Sequence, residues 1–242
     1  MPDTIAAIAT GAVRSAIGVL RLSGDDAIKI ASSVFRSYSG KPLHEYESRK
    51  LVYGEFLSKD GGVLDICLAT ISRAPNTYTG ENTAEFHCHG SPTVLAAALR
   101  ALFEAGARQA LPGEFTKRAF LNGRLDLTQA EAVIDLIDAE TEAAARNAAG
   151  HLRGSVSQKV SGIYDALIDI SAHFHAVIDY PDEDIEPFKK EEFENTLEFS
   201  ARELEKLIRS FERGRVLREG VKSAIVGRPN AGKSSLLNAL LG

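Results

Sequence analysis

The hydrophobic pattern of this chain changes character once, near residue 111, and that change limits the fold more than any other feature. Before it, runs with strand-like alternation are mixed with stretches of helical spacing. "GVLRLSG" (18–24) alternates and closes in a turn, which predicts a strand. "DDAIKIASSVF" predicts a helix with Asp25 and Asp26 in its first turn, where acids suit the positive end of the helix dipole. "LVYGEFL" (51–57) and "VLDICLATIS" (63–72) read as strands joined across the Gly61-Gly62 turn, and "TAEFHCHG" (83–90) as another strand. "SPTVLAAALRALFEAGA" (91–107) reads as a helix, with Ser91 as N-cap, Pro92 at its first position and Gly106 near its end. Strands and helices intermixed in this way predict an α+β domain.

After residue 112 the strand signals stop. "LDLTQAEAVIDLI" suggests a capping box of Thr128 with Glu131, followed by Val133, Ile134 and Ile137 at helical spacing. A second helix places Val160, Ile163, Tyr164, Leu167, Ile170, Phe174 and Val177 on one stripe, with Pro181 and Pro187 breaking it. A third carries Phe193, Leu197, Leu204, Ile208 and Phe211. The expected organisation is an α+β domain over 1–111, a helical domain over 112–217 and a further segment over 218–242.

That last segment contains the most specific motif. "GRPNAGKSS" matches G-x-x-x-x-G-K-[ST], and "KSAIVG" (222–227) before it reads as a short buried strand, with a helix beginning after it. In such a P-loop the backbone N–H groups and helix N-terminus cradle phosphate oxygens. Lys233 would then reach the β- and γ-phosphates and Ser234 would hold Mg²⁺. The identity of the base is not legible, because the segments that read it lie downstream of this motif.

Two further stretches invite chemistry. In a strand over 83–90, Glu85, His87 and His89 share one face and Ala84, Phe86 and Cys88 the other. The polar face suits three readings: an ordinary solvated sheet face, a metal site lacking a nearby fourth ligand, or a binding face for a polar aromatic ligand. In the third reading Glu85 accepts two hydrogen bonds from an amino-pyrimidinone edge. In "LPGEFTKRAFLNGRLDLTQAEAV", Lys117, Arg118 and Arg124 form either a solvated helix face or an anion site fed by the Asn122-Gly123 turn. The acidic run over 178–198 suggests only a solvated connection.

Bulk properties add bounds rather than direction. A net charge of -5 gives no overall basic signature, though a local patch could still meet nucleic acid. Cys67 and Cys88 are too few for a disulfide framework and are expected to be reduced and structural. The acid-bearing N-terminus has no secretory n-region and no apolar run is of membrane-spanning length, so a cytoplasmic, membrane-free protein is expected.

Taken in order, "DTIAAIAT", "GVLRLSG", "YTGENTAEFHCHG", "PGEFTKRAFLNGRLDLTQAEAVIDLI", "IDYPDEDI" and "GRPNAGKSSLLNALLG" resemble the MnmE/TrmE family of tRNA-modification GTPases along the whole chain. The resemblance implies an N-terminal folate-binding domain, over 1–111, that also forms the homodimer. It implies the first half of a helical domain over 112–217 and a truncated start of a P-loop GTPase domain over 218–242. It implies that the whole protein, with the flavoprotein MnmG, installs an aminomethyl-type group at C5 of the wobble uridine of certain tRNAs. A tetrahydrofolate such as 5-formyltetrahydrofolate supplies the carbon, and GTP is hydrolysed.

Matched motif by motif, the resemblance implies folate contacts from Arg21, Glu85 and Arg124. It implies GTP contacts from Asn230, Ala231, Gly232, Lys233, Ser234 and Ser235, with Ser234 on Mg²⁺ and Asn230 on K⁺. No catalytic residue falls within this stretch. The sequence departs from the family at "GAVRSA" (11–16), where a Pro- and Gly-rich turn is usual, and at Arg124, where lysine is common. Both residues are cationic, but arginine adds a planar, two-pronged contact. A stand-alone folate-dependent one-carbon transferase with a vestigial P-loop, or a dimerisation module, remain as alternatives.

Overall fold

A computed structural model describes residues 3–11, 13–180, 186–187, 189–219, 224–228 and 231–241. Two compact units divide at Ala130 and Glu131. The first is α+β. Its seven strands are β1 (Ile5–Ile8), β2 (Ile17–Ser23), β3 (Phe35–Ser37), β4 (Val52–Leu57), β5 (Val63–Ser72), β6 (Thr83–His89) and β7 (Arg108–Gln109). They form one sheet in the order β3-β4-β5-β6-β2-β1-β7. All neighbours are antiparallel except β1 and β7. The helices α1 (Ala27–Ser33) and α2 (Pro92–Glu104) pack on this sheet.

Alternation along the central strands decides which face is covered. In β6, Ala84, Phe86 and Cys88 are buried, while Thr83, Glu85 and His87 are only half-buried. Leu20 and Leu22 of β2, Ile71 of β5, Phe56 of β4 and Leu102 of α2 complete the apolar layer. The Phe56 and Phe86 rings meet edge to face with centroids 4.7 Å apart. Cys67 and Cys88 are free and buried in this layer, and a hydrogen bond to Cys67 together with burial pushes the Cys88 thiol up.

The expected strands at 18–24, 51–57, 63–72 and 83–90 are present within a residue or two. The helix expected over "DDAIKIASSVF" is shorter: it ends at Ser33, and Phe35 opens β3. There Phe35 pairs with Phe56 across the sheet edge and is buried, so the sheet claims a residue that helical spacing alone assigns to α1.

The first unit closes with α3 (Glu114–Leu121) and enters α4 (Leu127–Ile137). The cap of α4 differs from expectation. Asp126, not Thr128, is the capping side chain: its Oδ1 accepts from the Gln129 backbone N at 2.8 Å. Gln129 Oε1 in turn accepts from the Asp126 backbone N at 2.9 Å. This is a capping box set two residues earlier than the Thr128/Glu131 pair, and the Thr128 hydroxyl instead donates to Asp126 at 2.7 Å.

The second unit is helical, with α5 (Glu142–Leu152), α6 (Ser155–Asp179), α7 (Lys190–Glu219) and α8 (Lys233–Leu241). Helix α5 is capped by Thr141, whose hydroxyl accepts from the Ala144 backbone N at 3.1 Å. Helices α6 and α7 pack on each other and on α5. Ala148 and Ile163 are buried, but Tyr164, Phe174, Phe199 and Ile208 remain exposed. The strand expected over 222–227 is not formed in its described part. Ala224–Gly227 pairs with no strand among the described residues, and Val226 is 87% exposed. Among the described residues, no helix is long and apolar enough to cross a membrane.

Candidate functional site

The half-buried face of the sheet carries a row of polar side chains set by register. Thr70 of β5, Glu85 of β6 and Arg21 of β2 lie directly opposite one another on three adjacent strands. Cross-strand partners at this spacing interact. Arg21 Nε donates to Glu85 Oε1 at 2.6 Å. The guanidinium also lies 5.8 Å from the centroids of the Tyr78 and Phe115 rings, within cation–π range. Both charged side chains are about one-third exposed, 33% for Arg21 and 29% for Glu85. A pair so exposed stabilises the fold by roughly 0–1 kcal/mol. Its larger effect is to fix the direction of the Glu85 carboxylate.

Glu85 and Thr70 form part of a cleft of about 380 Å³, lined also by Arg49, Ser72, Asn76, Thr77, Tyr78, Thr83 and Arg124. One wall is the loop between β5 and β6. This loop is tied down at both ends and in the middle. The Ala74 backbone N donates to Asn82 Oδ1 at 3.0 Å, and the Thr77 hydroxyl donates to the Glu81 carbonyl at 2.6 Å. Thr79 Oγ1 and Ser23 Oγ, both buried, are hydrogen-bonded at 2.6 Å.

The turn after α3 brings Arg124 to the same wall. Asn122 Nδ2 donates to the Thr79 carbonyl at 2.7 Å, and Arg124 Nε donates to the Thr77 carbonyl at 3.2 Å. Gly80 permits this approach. It holds φ at +79°, and a Cβ there would stand 3.0 Å from Asn122 Cβ and 3.3 Å from Arg124 Cγ.

Thus Glu85 and Arg124, far apart in sequence, line one cleft, and Arg21 meets it through Glu85. The other charges separate. Arg118 is neither a solvated residue nor an anion seat: it is 11% exposed and bonded to Glu81 at 3.0 Å and Asp3 at 2.7 Å. His89 is engaged by Asp65, its backbone N and ring Nδ1 each lying 2.7 Å from a carboxylate oxygen. His87 Nε2 stands 3.7 Å from Glu85 Oε2. Among the described residues, no group of His, Cys, Asp and Glu could hold a metal ion.

Sequence reasoning missed Arg49, Thr70 and Tyr78. Thr70 lies inside a strand and Arg49 in a turn, and neither carries a local signal of its place in the cleft. Thr70 Oγ1 is buried and has no hydrogen-bond partner among the described residues. An unpartnered buried hydroxyl on a residue that lines a cleft, beside a fixed carboxylate, is a candidate partner for a polar ligand. A carboxylate with free lone pairs, adjacent hydroxyls and two arginines suit a ligand with an amide-like donor edge and an anionic tail.

The P-loop is described in part. Gly232 has φ +80°, α8 starts at Lys233, and Lys233 Nζ donates to the carbonyls of Gly227 at 3.0 Å and Arg228 at 2.7 Å. Ala231, Ser234 and Ser235 are exposed, and Asn230 lies outside the described residues.

In sequence order, an α+β domain with a charged cleft is followed by helices and a P-loop motif. Comparison with known proteins gives this arrangement its family. The N-terminus of the GTP-binding protein TrmE matches residues 4–124, and the MnmE helical domain matches residues 127–237. The chain belongs to the MnmE/TrmE family of tRNA-modification GTPases. It is 48% identical over 240 residues to the tRNA modification GTPase MnmE of Thermoanaerobacter pseudethanolicus, which covers 99% of this chain and 52% of that protein. The corresponding protein of Clostridioides difficile is 45% identical over 240 residues, with the same coverage. That of Geobacillus kaustophilus is 44% identical over 240 residues, covering 98% of this chain and 52% of that protein. The chain therefore spans about half the length of the curated relatives it matches.

Proposed function

We propose that this chain supplies the folate-binding and first helical portions of a tRNA-modification GTPase. The observation that carries the proposal is the meeting of Glu85, held by Arg21, with Arg124 and the unpartnered Thr70 hydroxyl in one cleft. A tetrahydrofolate fits that donor set. Glu85 would accept from its amino-pyrimidinone edge, Thr70 would complete its own hydrogen bonding on the ring, and Arg124 would meet the glutamate tail. When bound, 5-formyltetrahydrofolate or a related folate would supply a one-carbon unit. The residues of this chain bind and orient it.

In the whole protein, this cleft would serve modification at C5 of the wobble uridine of certain tRNAs, together with the flavoprotein MnmG and GTP hydrolysis. The first unit would form the homodimer in the cytoplasm. Lys233 and the Ala231–Ser235 backbone would surround the nucleotide phosphates, Ser234 would hold Mg²⁺, and Asn230 would hold K⁺. The names of the relatives, the two family matches and the P-loop motif support this reading.

Calorimetric titration of the chain with 5-formyltetrahydrofolate tests it. Saturable one-to-one binding is expected, weakened at least tenfold in Glu85→Ala with an unchanged circular dichroism spectrum. Loss of one partner of a buried charged contact commonly costs on the order of 2–5 kcal/mol. Equal affinity in the variant, or no binding to the wild type, would overturn the assignment.

A further inference from the structure

Arg49 is the only non-glycine residue with positive φ among the described residues, at +69°. For an L-residue this conformation costs roughly 1–2 kcal/mol relative to the right-handed region. Two contacts hold it there. The Arg49 backbone N donates to the Ile71 carbonyl at 2.7 Å, and its Nη2 donates to the Asn76 carbonyl. Strain held in place beside a cleft points to function when other observations agree.

They agree in three respects. First, Arg49 lines the same cleft as Glu85, Thr70 and Arg124. Second, Arg49 and Arg124 are anchored by consecutive carbonyls, those of Asn76 and Thr77. One well-tied loop therefore gathers two guanidinium groups. Third, neither has a carboxylate partner among the described residues. Arg21, Arg36, Arg108 and Arg118 in the same unit each hold one, while Arg73, away from the cleft lining, is likewise held by carbonyls and a hydroxyl. Two like charges that line one cleft without a carboxylate partner repel each other, and an anion bound between them would relieve that repulsion. The one acid lining the cleft, Glu85, is already engaged by Arg21.

We propose that Arg49 is a second cationic contact of the cleft, seating the anionic tail of the ligand jointly with Arg124. The inference rests on the folate reading given above, and it assigns the two carboxylates of a glutamate tail to two arginines rather than one. The planar fork matters at both positions, since each guanidinium uses one edge on a carbonyl and keeps donors free for a carboxylate.

The test compares two ligands on the 242-residue chain: 5-formyltetrahydrofolate, and 5-formyltetrahydropteroate, which lacks the glutamate. The wild type should prefer the folate. Arg49→Ala should weaken folate by about tenfold, the effect of losing one charge-assisted hydrogen bond, and leave the pteroate affinity unchanged. Arg49→Lys should recover part of the preference and retain its salt dependence. Melting curves identify any variant that fails to fold, and Arg49→Gln then replaces it in the same comparison. Binding of folate to the wild type with no effect of either Arg49 variant would overturn this inference alone. An equal loss for both ligands would also overturn it, by assigning Arg49 to the shape of the cleft. Failure of the wild type to bind either ligand would overturn the folate reading itself.

Discussion

Arg21 and Glu85 sit opposite each other on β2 and β6, joined by a 2.6 Å hydrogen bond from the arginine Nε to one carboxylate oxygen. The pair joins two motif blocks that are 64 residues apart. The bond fixes the direction of the Glu85 carboxylate, and that gives a sharp expectation for Arg21→Lys. The charge is kept, but the planar donor and its ring contacts with Tyr78 and Phe115 are lost. Folate affinity should fall by about tenfold while thermal stability changes by less than about 1 kcal/mol. Calorimetry beside thermal unfolding checks both. A large stability loss with unchanged affinity would make the pair structural.

Gly80 offers a test of how the loop positions Arg124. Gly80→Ala adds a methyl group within 3.3 Å of Arg124 Cγ at a φ of +79°. The backbone term should destabilise by about 1–2 kcal/mol. Displacement of Arg124 should also weaken folate binding more than the melting shift alone explains, measured below the transition. Unchanged affinity would show that Arg124 reaches the ligand without this close approach.

A charge cluster away from the cleft sets a pH dependence. Hydrogen bonds from Arg108 hold the Asp3 and Glu114 carboxyls down at about 2, from ordinary values of 3.8 and 4.5. Their folded pKa values are depressed, so their stabilisation is present above about pH 4.5 and is lost as pH falls towards 2. Glu114→Gln should therefore lower the melting temperature near neutral pH. The gap to wild type should close as pH falls through that window. A gap independent of pH would mean that the ion pair with Arg108 contributes nothing.

How much of this was legible in the sequence depends on the kind of signal. The β2, β4, β5 and β6 strands announce themselves because one face is buried and the other is not, so the alternation is strong. β1 (Ile5–Ile8) and β7 (Arg108–Gln109) are too short to carry a period, and only pairing with each other and with β2 makes them strands. The α4 cap slipped by two residues because Asp126–Gln129 and Thr128–Glu131 offer the same local chemistry, and α4 starts at Leu127, which puts Asp126 at its cap. Glu85 and Arg124 stood out as charges in unusual patterns. Arg49 did not, because its place in the cleft comes from a backbone conformation and from the Asn76 carbonyl, 27 residues away.

The P-loop segment carries its own prediction. Leu236, Leu237 and Leu240 of α8 are exposed, and the run Ala224–Gly227 is in no strand. A phosphate nest needs strand and helix at a fixed angle, and ordering residues costs about 1–2 kcal/mol each. In this chain Lys233 bonds to the carbonyls of its own loop. Titration with a fluorescent GTP analogue in potassium buffer should show no micromolar binding and no GTP hydrolysis. A micromolar Kd that disappears in Lys233→Ala would contradict this.

The central claim is that the cleft beside Glu85 is a folate site, and a crystal structure of the chain grown with 5-formyltetrahydrofolate tests it most directly. The account predicts density in the cleft with the amino-pyrimidinone edge within hydrogen-bond distance of Glu85, Thr70 against the ring, and the tail towards Arg124. An empty cleft at saturating ligand, or a folate bound elsewhere with Glu85 still facing solvent, would contradict it.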